Sequence, residues 1–368
     1  MLFLTSTYSV IVAGQDVTSR FDPLLTDITV TDKVGTTSDT CSLKLADPGG
    51  SISLPAKGDP IIVNIDGGEI FRGTVDEVRS AGGKSNGFTL SITGKGIDTT
   101  KKVKEPQQKH VDKKTFKDVA EKWGRDAGLT VSVHADLGSI ERLYWDMRTE
   151  SFIHWGRRIA DEIGASFKVS GDRAAFVPAN DGKTASGQEG PSVTAEWGKN
   201  LISWDIAPVV GRPTFEKATV RYFDPKEGKI KEVEAKIKSE SVTAGHVVRF
   251  AGTDEGQSTA KAKSEGKKSE RKGAEGSVEI TGNPNAQGGG KCVLVGTRPG
   301  IDGTYRITSA THKLSKKNGY VVSLELDQPQ GEAGKDDRAD KTGKAGAAAK
   351  TQAPANKEAG AIAPSNIG

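Results

Sequence analysis

Cysteine is nearly absent from this 368-residue chain: there are two, Cys41 and Cys292, with no CxxC pair and no Cys/His cluster around either. That pattern speaks against a disulfide-stapled scaffold and against a thiolate metal site, so both are expected as small buried strand residues. Aromatic residues make up only 6%, and no stretch approaches the ~20 apolar residues of a spanning helix. Charge of one sign is also scarce, with 52 basic side chains against 48 acidic ones and a formal charge of +4. So small an excess argues against sequence-specific nucleic-acid binding, which needs clustered cations. The densest basic run, between Lys101 and Lys122, is broken by acids and has no aromatic platform, so it reads as a solvated linker. The opening "MLFLTSTYSVIVAG" has no basic n-region and soon alternates, which makes it a first strand and not a signal peptide. A soluble protein made in the cytoplasm, with no membrane partner, is the expectation.

Motifs that carry chemistry are scarce as well. No HExxH, GxSxG or EF-hand loop occurs. "GGGKC" at 288–292 fails as a phosphate loop: it ends in Cys and leads into a strand. Asp76–Glu77 and Asp161–Glu162 are sequence neighbours, which point to opposite faces of a strand and about 100° apart on a helix, so neither pair suits paired-carboxylate chemistry. His312 shares a strand face with Ala310 and Leu314, with no Ser, Cys or acidic cluster beside it. It reads as a packed or hydrogen-bonded structural residue, and His134 and His154 read likewise. The expectation is a protein with no catalytic residue, no metal and no cofactor.

What is abundant is turn chemistry and short strands, with 45 glycines among them. "YSVIVAG", "ITVTD", "TCSLKLAD", "PIIVNID", "IFRGTVDEVRS" and "GFTLSITG" follow one another through residue 96, separated by Gly, Asp, Pro or Asn. They predict a β-barrel or sandwich over 1–102. The period then changes. Phe116, Val119, Ala120, Trp123 and Ala127 share one helical face, with Thr115 placed to cap it and Gly128 to end it. Phe152, Trp155, Ile159 and Ile163 mark a second helix stopped by Gly164. With strand-like sequence after each helix, 103–192 reads as a small α+β domain. A second barrel is expected over 193–328. It is interrupted by an exposed helical or extended insertion at about 239–276, which has almost nothing large to bury. Residues 329–368 form a low-complexity tail without an aromatic residue.

The β pattern also repeats. "NGFTLSI" at 86–92 lies 232 residues before "NGYVVSL" at 318–324, and "GDPIIVNI" at 58–65 has the same offset from "GKCVLVGT" at 290–297. "RGTVDEV" at 72–78 matches "DGTYRIT" at 302–308 with a two-residue shift. The repeat reads as an internal duplication whose copies each end in a hairpin. The structural turn residues are Asn86, Gly87, Asn318 and Gly319, each Asn-Gly pair being expected in a type I′ turn.

These segments resemble a known family. "ESFIHWGRRIADEIGASFKV", "SVEITGNPN", "KCVLVGTRPGIDGTYRITSATHKLS" and "NGYVVSLEL" are similar to the phage late-control protein D family, the hubs of contractile-tail baseplates, related to the base of type VI secretion spikes. The resemblance spans most of 1–328. It implies two tube-protein-like β-barrels per chain and a homotrimer. Three chains would then act as a symmetry adaptor between the six-fold tail tube protein and the three-fold central spike protein. Tape measure and baseplate wedge proteins are further implied neighbours, in a virion assembled in the host cytoplasm. In the tail, Ile362, Pro364 and Ile367 are the candidate docking anchors. Two other readings stand beside this one: a tail-tip cell-wall hydrolase, which lacks any recognisable lytic domain here, and a glycan-binding β protein, which would need a surface cluster of Trp and Tyr.

Overall fold

Alternating apolar and polar residues lay down the first strands, and their apolar sets meet on one side. The computed structural model describes residues 6–34, 38–84, 87–97, 102–179, 182–207, 215–224, 227–237, 245–252, 254–270, 275–330 and 333. β1 (Tyr8–Val12), β2 (Gln15–Asp16), the short helix α1 (Thr18–Phe21), β3 (Leu25–Lys33), β4 (Thr40–Ala46), β5 (Pro60–Ile65), β6 (Gly68–Gly83) and β7 (Gly87–Lys95) form the first barrel. Along β4, for example, Cys41, Leu43 and Leu45 are buried while Thr40 and Lys44 face out.

The α+β domain follows, with β8 (Gln107–Thr115), α2 (Phe116–Asp126), β9 (Thr130–Val133), α3 (Ala135–Gly138), β10 (Glu141–Glu150), α4 (Phe152–Ile163), β11 (Ala165–Ser170) and β12 (Arg173–Pro178). Thr115 Oγ1 accepts the Asp118 N–H at 3.2 Å to start α2, Ser151 Oγ accepts the His154 N–H to start α4, and Gly164 ends α4 in the left-handed region. Trp123 and Trp155 meet edge to face at 5.1 Å, and Phe116 meets Phe176 at 4.9 Å, so the aromatics form this domain's core. The basic run read as a linker is instead strand β8, paired with β10. Its basic side chains project from an exposed two-stranded ribbon, which is why no apolar alternation announced it.

The second barrel is built from β13 (Ser192–Glu196), β14 (Leu201–Ala207), β18 (Glu275–Thr281), β19 (Lys291–Val295), β20 (Gly303–Ser315) and β21 (Gly319–Gln330). Between β14 and β18 lies the insertion: β15 (Lys217–Asp224), β16 (Lys229–Lys236), β17 (Gly245–Gly252) and helix α5 (Glu255–Glu270). The helix is not an exposed arm. Ser258, Ala262 and Ser264 are fully buried against the insertion's own sheet and against α4, where Ser264 Oγ donates to Asp161 O at 2.7 Å and Lys261 pairs with Asp161. Small side chains let the helix approach closely, so its burial needs no large apolar residue.

Strand order runs β3-β4-β7-β6-β5-β1 in the first barrel and β14-β18-β21-β20-β19-β13 in the second. The irregularities recur too. The β6/β7 ladder has a bulge between Val75 and Glu77, and β20/β21 has one between Ile307 and Ser309, at the same 232-residue offset. The β3/β4 ladder shifts between Leu25 and Asp27, and β14/β18 between Leu201 and Ser203. The shared bulge sets Arg72–Val78 against Thr304–Ala310, so the two-residue shift read from the sequence is wrong: chance similarity between strands misplaced it. The copies also differ: β1 runs antiparallel to β5 whereas β13 runs parallel to β19, and β20/β21 carries a further bulge between Thr304 and Arg306.

Both hairpins differ from the expected type I′ turn. Gly83 pairs with Gly87 and Ser315 with Gly319, leaving three loop residues in each. In the second loop φ is positive at Gly319 (+69°) and not at Asn318, whose N–H is held by Ser315 Oγ; Gly87 has φ +64°, and Asn86 lies outside the described residues. A three-residue loop closed by one left-handed residue needs the glycine alone.

The barrels are joined edge to edge. β3 pairs antiparallel with β20 from Lys33↔Ser309 to Asp27↔Ser315, making one 13-stranded sheet over one continuous apolar core. A charged joint holds the α+β domain to it: Lys168 reaches Asp32 and Asp39 (3.1 Å to Asp39), and Asp32 also accepts the Gly288 N–H at 2.9 Å. Burial, with the Asp32 carboxylate adding to it, pushes Asp39 up to about 6 in spite of Lys168.

Two expectations follow. Replacing Gly319 with Val destabilises the protein by about 1 kcal/mol in denaturant titration, because a β-branched residue resists positive φ. Asp39 has a higher pKa folded than unfolded, so its contribution to stability is largest at low pH and is lost as pH rises through about 6. The Tm of Asp39→Asn, relative to wild type, therefore rises between pH 5 and pH 8; a constant difference would contradict the buried-carboxylate account.

Candidate assembly interface

Neither acid pair forms a catalytic dyad. Asp76 pairs with Lys95 and Glu77 with Arg79, while Asp161 faces Lys261 and Lys268 and Glu162 faces Arg142 and Arg158. Burial works against the Asp161 carboxylate, but the two lysines hold it below its ordinary value. His312 is buried, with Nδ1 2.7 Å from Tyr320 Oη and Nε2 2.8 Å from Ala286 O. Burial lowers its pKa, so it packs as a neutral ring. His134 is buried and caps α3, whereas His154 is exposed on α4 and is not the packed residue expected. Both cysteines are free and buried. Among the described residues no group of three or more His, Cys, Asp or Glu could hold a metal ion, and no helix is long and apolar enough to cross a membrane.

Among the described residues, two edges of the 13-stranded sheet stand out, because their counterparts pair with each other inside the chain. β14 pairs along its length, among the described residues, only with β18, apart from one isolated backbone bridge between Trp197 and Leu201. The half of β6 beyond Val75 pairs, among the described residues, only with β7, because β5 ends opposite Thr74. These are the counterparts of β3 and of the C-terminal half of β20, which pair with each other inside the chain.

Exposure follows the missing neighbours. Ile28 and Val30 on β3 are completely buried, but their counterparts Trp204 and Ile206 are only partly covered. Tyr320 is 6% exposed beside the junction, and its counterpart Phe88 is 55% exposed. Trp204 and Trp197 touch edge to face at 4.9 Å, with Trp197 itself exposed. The sequence does not announce this pair, because alternation in "LISWDIA" gives no sign of which sheet edge stays open.

No family model matches the chain. It is 24% identical over 230 residues to the probable baseplate hub protein of Escherichia phage 186, a match covering 61% of this chain and 58% of that protein. The matched segment thus spans little more than half the length of the relative. The crystal structure of the 43 kDa tail protein of prophage MuSo2 from Shewanella oneidensis superposes with a TM-score of 0.66 at 15% identity, over 88% of this chain and 98% of that one.

This is the fold of a phage tail protein.

The tail fold extends to secretion systems: a type VI secretion component from E. coli, described as structurally similar to phage T4 tail proteins, matches 84% of this chain and 75% of its own at TM-score 0.55 and 9% identity. The turn residues Gly87, Asn318 and Gly319 lie at the hairpin tips of the two barrels. Ile362, Pro364 and Ile367 lie outside the described residues. The folded body reaches further than 328, since β21 continues to Gln330 and Ala333 is buried in the second barrel's core.

Replacing His312 with Ala strands the Tyr320 hydroxyl and the Ala286 carbonyl and opens a cavity. The expected cost is about 2–4 kcal/mol in equilibrium unfolding; a loss under 0.5 kcal/mol would contradict a structural role.

Proposed function

We propose that the chain is a structural hub of a contractile phage tail baseplate. Three copies form a ring that presents six near-equivalent barrels to the six-fold tail tube and a three-fold face to the central spike. The observation that carries this reading is the doubled barrel, with one strand order and two β-bulges repeated at equivalent places. A symmetry adaptor between a sixfold and a threefold object needs two similar modules per chain. Similarity to a probable baseplate hub protein supports the same reading. In this role function lies in interfaces, and catalysis forms no part of it. The exposed Trp197–Trp204 pair sits on an open sheet edge, where subunit contact accounts for it without a glycan.

Mass measurement of the intact hub released from assembled tails tests the proposal. The expected mass is that of three chains, with the tube and spike proteins bound on opposite faces. One or two copies per particle would overturn it.

A further inference from the structure

An open sheet edge exposes unpaired N–H and C=O groups, and proteins blunt such edges with Lys, Pro or a covering segment. The β14 edge, "LISWDIA", has none of the first two: Asp205 is its single charge, and Ile202 is 45% exposed. The open half of β6, "EVRSAGG", ends in two glycines. The internal junction pairs one edge of each kind, so repeating that contact between copies sets each edge against the other, head to tail.

The internal junction supplies the register. The shared bulges make Gly82, Ala81, Ser80 and Arg79 the counterparts of Leu314, Lys313, His312 and Thr311, and make Trp204, Asp205, Ile206 and Ala207 those of Ile28, Thr29, Val30 and Thr31. Inside the chain Leu314 lies opposite Ile28, Lys313 opposite Thr29, His312 opposite Val30 and Thr311 opposite Thr31.

We infer that β14 of one copy pairs antiparallel with residues 79–83 of β6 in the next, setting Trp204 opposite Gly82, Asp205 opposite Ala81, Ile206 opposite Ser80 and Ala207 opposite Arg79. The side chains fit that register. Inside the chain two medium residues, Ile28 and Leu314, face each other beside Tyr320; between copies a large indole faces a glycine beside Phe88. Large against small conserves the filled volume and covers the ring that is otherwise exposed. On the opposite face Arg79 comes diagonal to Asp205, within reach of an ion pair. Within one copy Arg79 is largely exposed, with Glu77 beside it at 2.9 Å.

This register rests on the trimeric reading, and the experiment separates the two. Directly opposed residues in an antiparallel pair have Cα atoms about 4.5–5.5 Å apart, inside disulfide range. The native thiols of Cys41 and Cys292 are buried, with pKa values raised by burial, and do not compete. The full-length Ala81→Cys/Asp205→Cys variant is assembled into tails and oxidised with copper–phenanthroline. Covalent dimer and closed trimer are expected from it, none from either single variant, and at least fivefold less from Gly83→Cys/Asp205→Cys, which is two residues out of register. Three copies per particle without the cross-link, or equal cross-linking of the shifted pair, would overturn the register and leave the trimer standing. Fewer than three copies would overturn both. As a second measurement, Arg79→Asp and Asp205→Arg each lower the trimer fraction at low salt and the double variant restores it; failure of restoration in folded protein counts against the register.

Discussion

The hydrogen-bonding requirement of a sheet edge governs this molecule. Every strand offers N–H and C=O groups on both sides, and an apolar strand left half-paired is an adhesive surface. In the first barrel β3 satisfies its outer side with β20, and that one ladder turns two barrels into a single sheet over a single core. The second barrel repeats the same strand at its own margin, where among the described residues no further strand pairs with it. A duplicated module that meets its own copy through unlike edges necessarily ends with one edge of each kind unmatched.

The other parts hang on that frame through charge and small residues. Lys168 holds the α+β domain to Asp32 and Asp39, at the place where Asp32 also touches the second barrel's backbone. The joint places two carboxylates around one ammonium, so burial overrides pairing at Asp39 and leaves its charge costly. On the other side, α5 reaches α4 through Lys261 and Ser264. The insertion is thereby tied to the α+β domain as well as to the barrel that contains it.

Much of the fold was legible in the sequence. The helices over 116–126 and 152–163 follow from apolar residues at helical spacing between Thr115 or Ser151 and Gly128 or Gly164, all local signals. The duplicated hairpins follow from repeated turn chemistry at a fixed offset. The misreadings have a common origin. Strand β8 carries a basic sequence because it pairs in an exposed ribbon, and α5 carries small residues because it packs closely; in neither does composition display the partner. The Asn-Gly pairs suggest a two-residue turn, whereas the Ser315↔Gly319 pairing leaves a three-residue loop, a length that the register decides.

The letters alone mark most of the strands, the helices over 116–126 and 152–163, the repetition of one module and the lack of the common catalytic motifs. These rest on local propensity, periodicity and repetition, which survive in one dimension. That β3 meets β20, that Lys168 closes on two distant carboxylates, and that Phe88 is exposed and Trp204 only partly covered while Ile28 and Tyr320 are buried follows from the packing of distant segments. Edge pairing is made by backbone groups that every residue carries, so the letters of a strand do not record whether its outer side is taken. That is settled only when strands far apart in sequence are brought side by side.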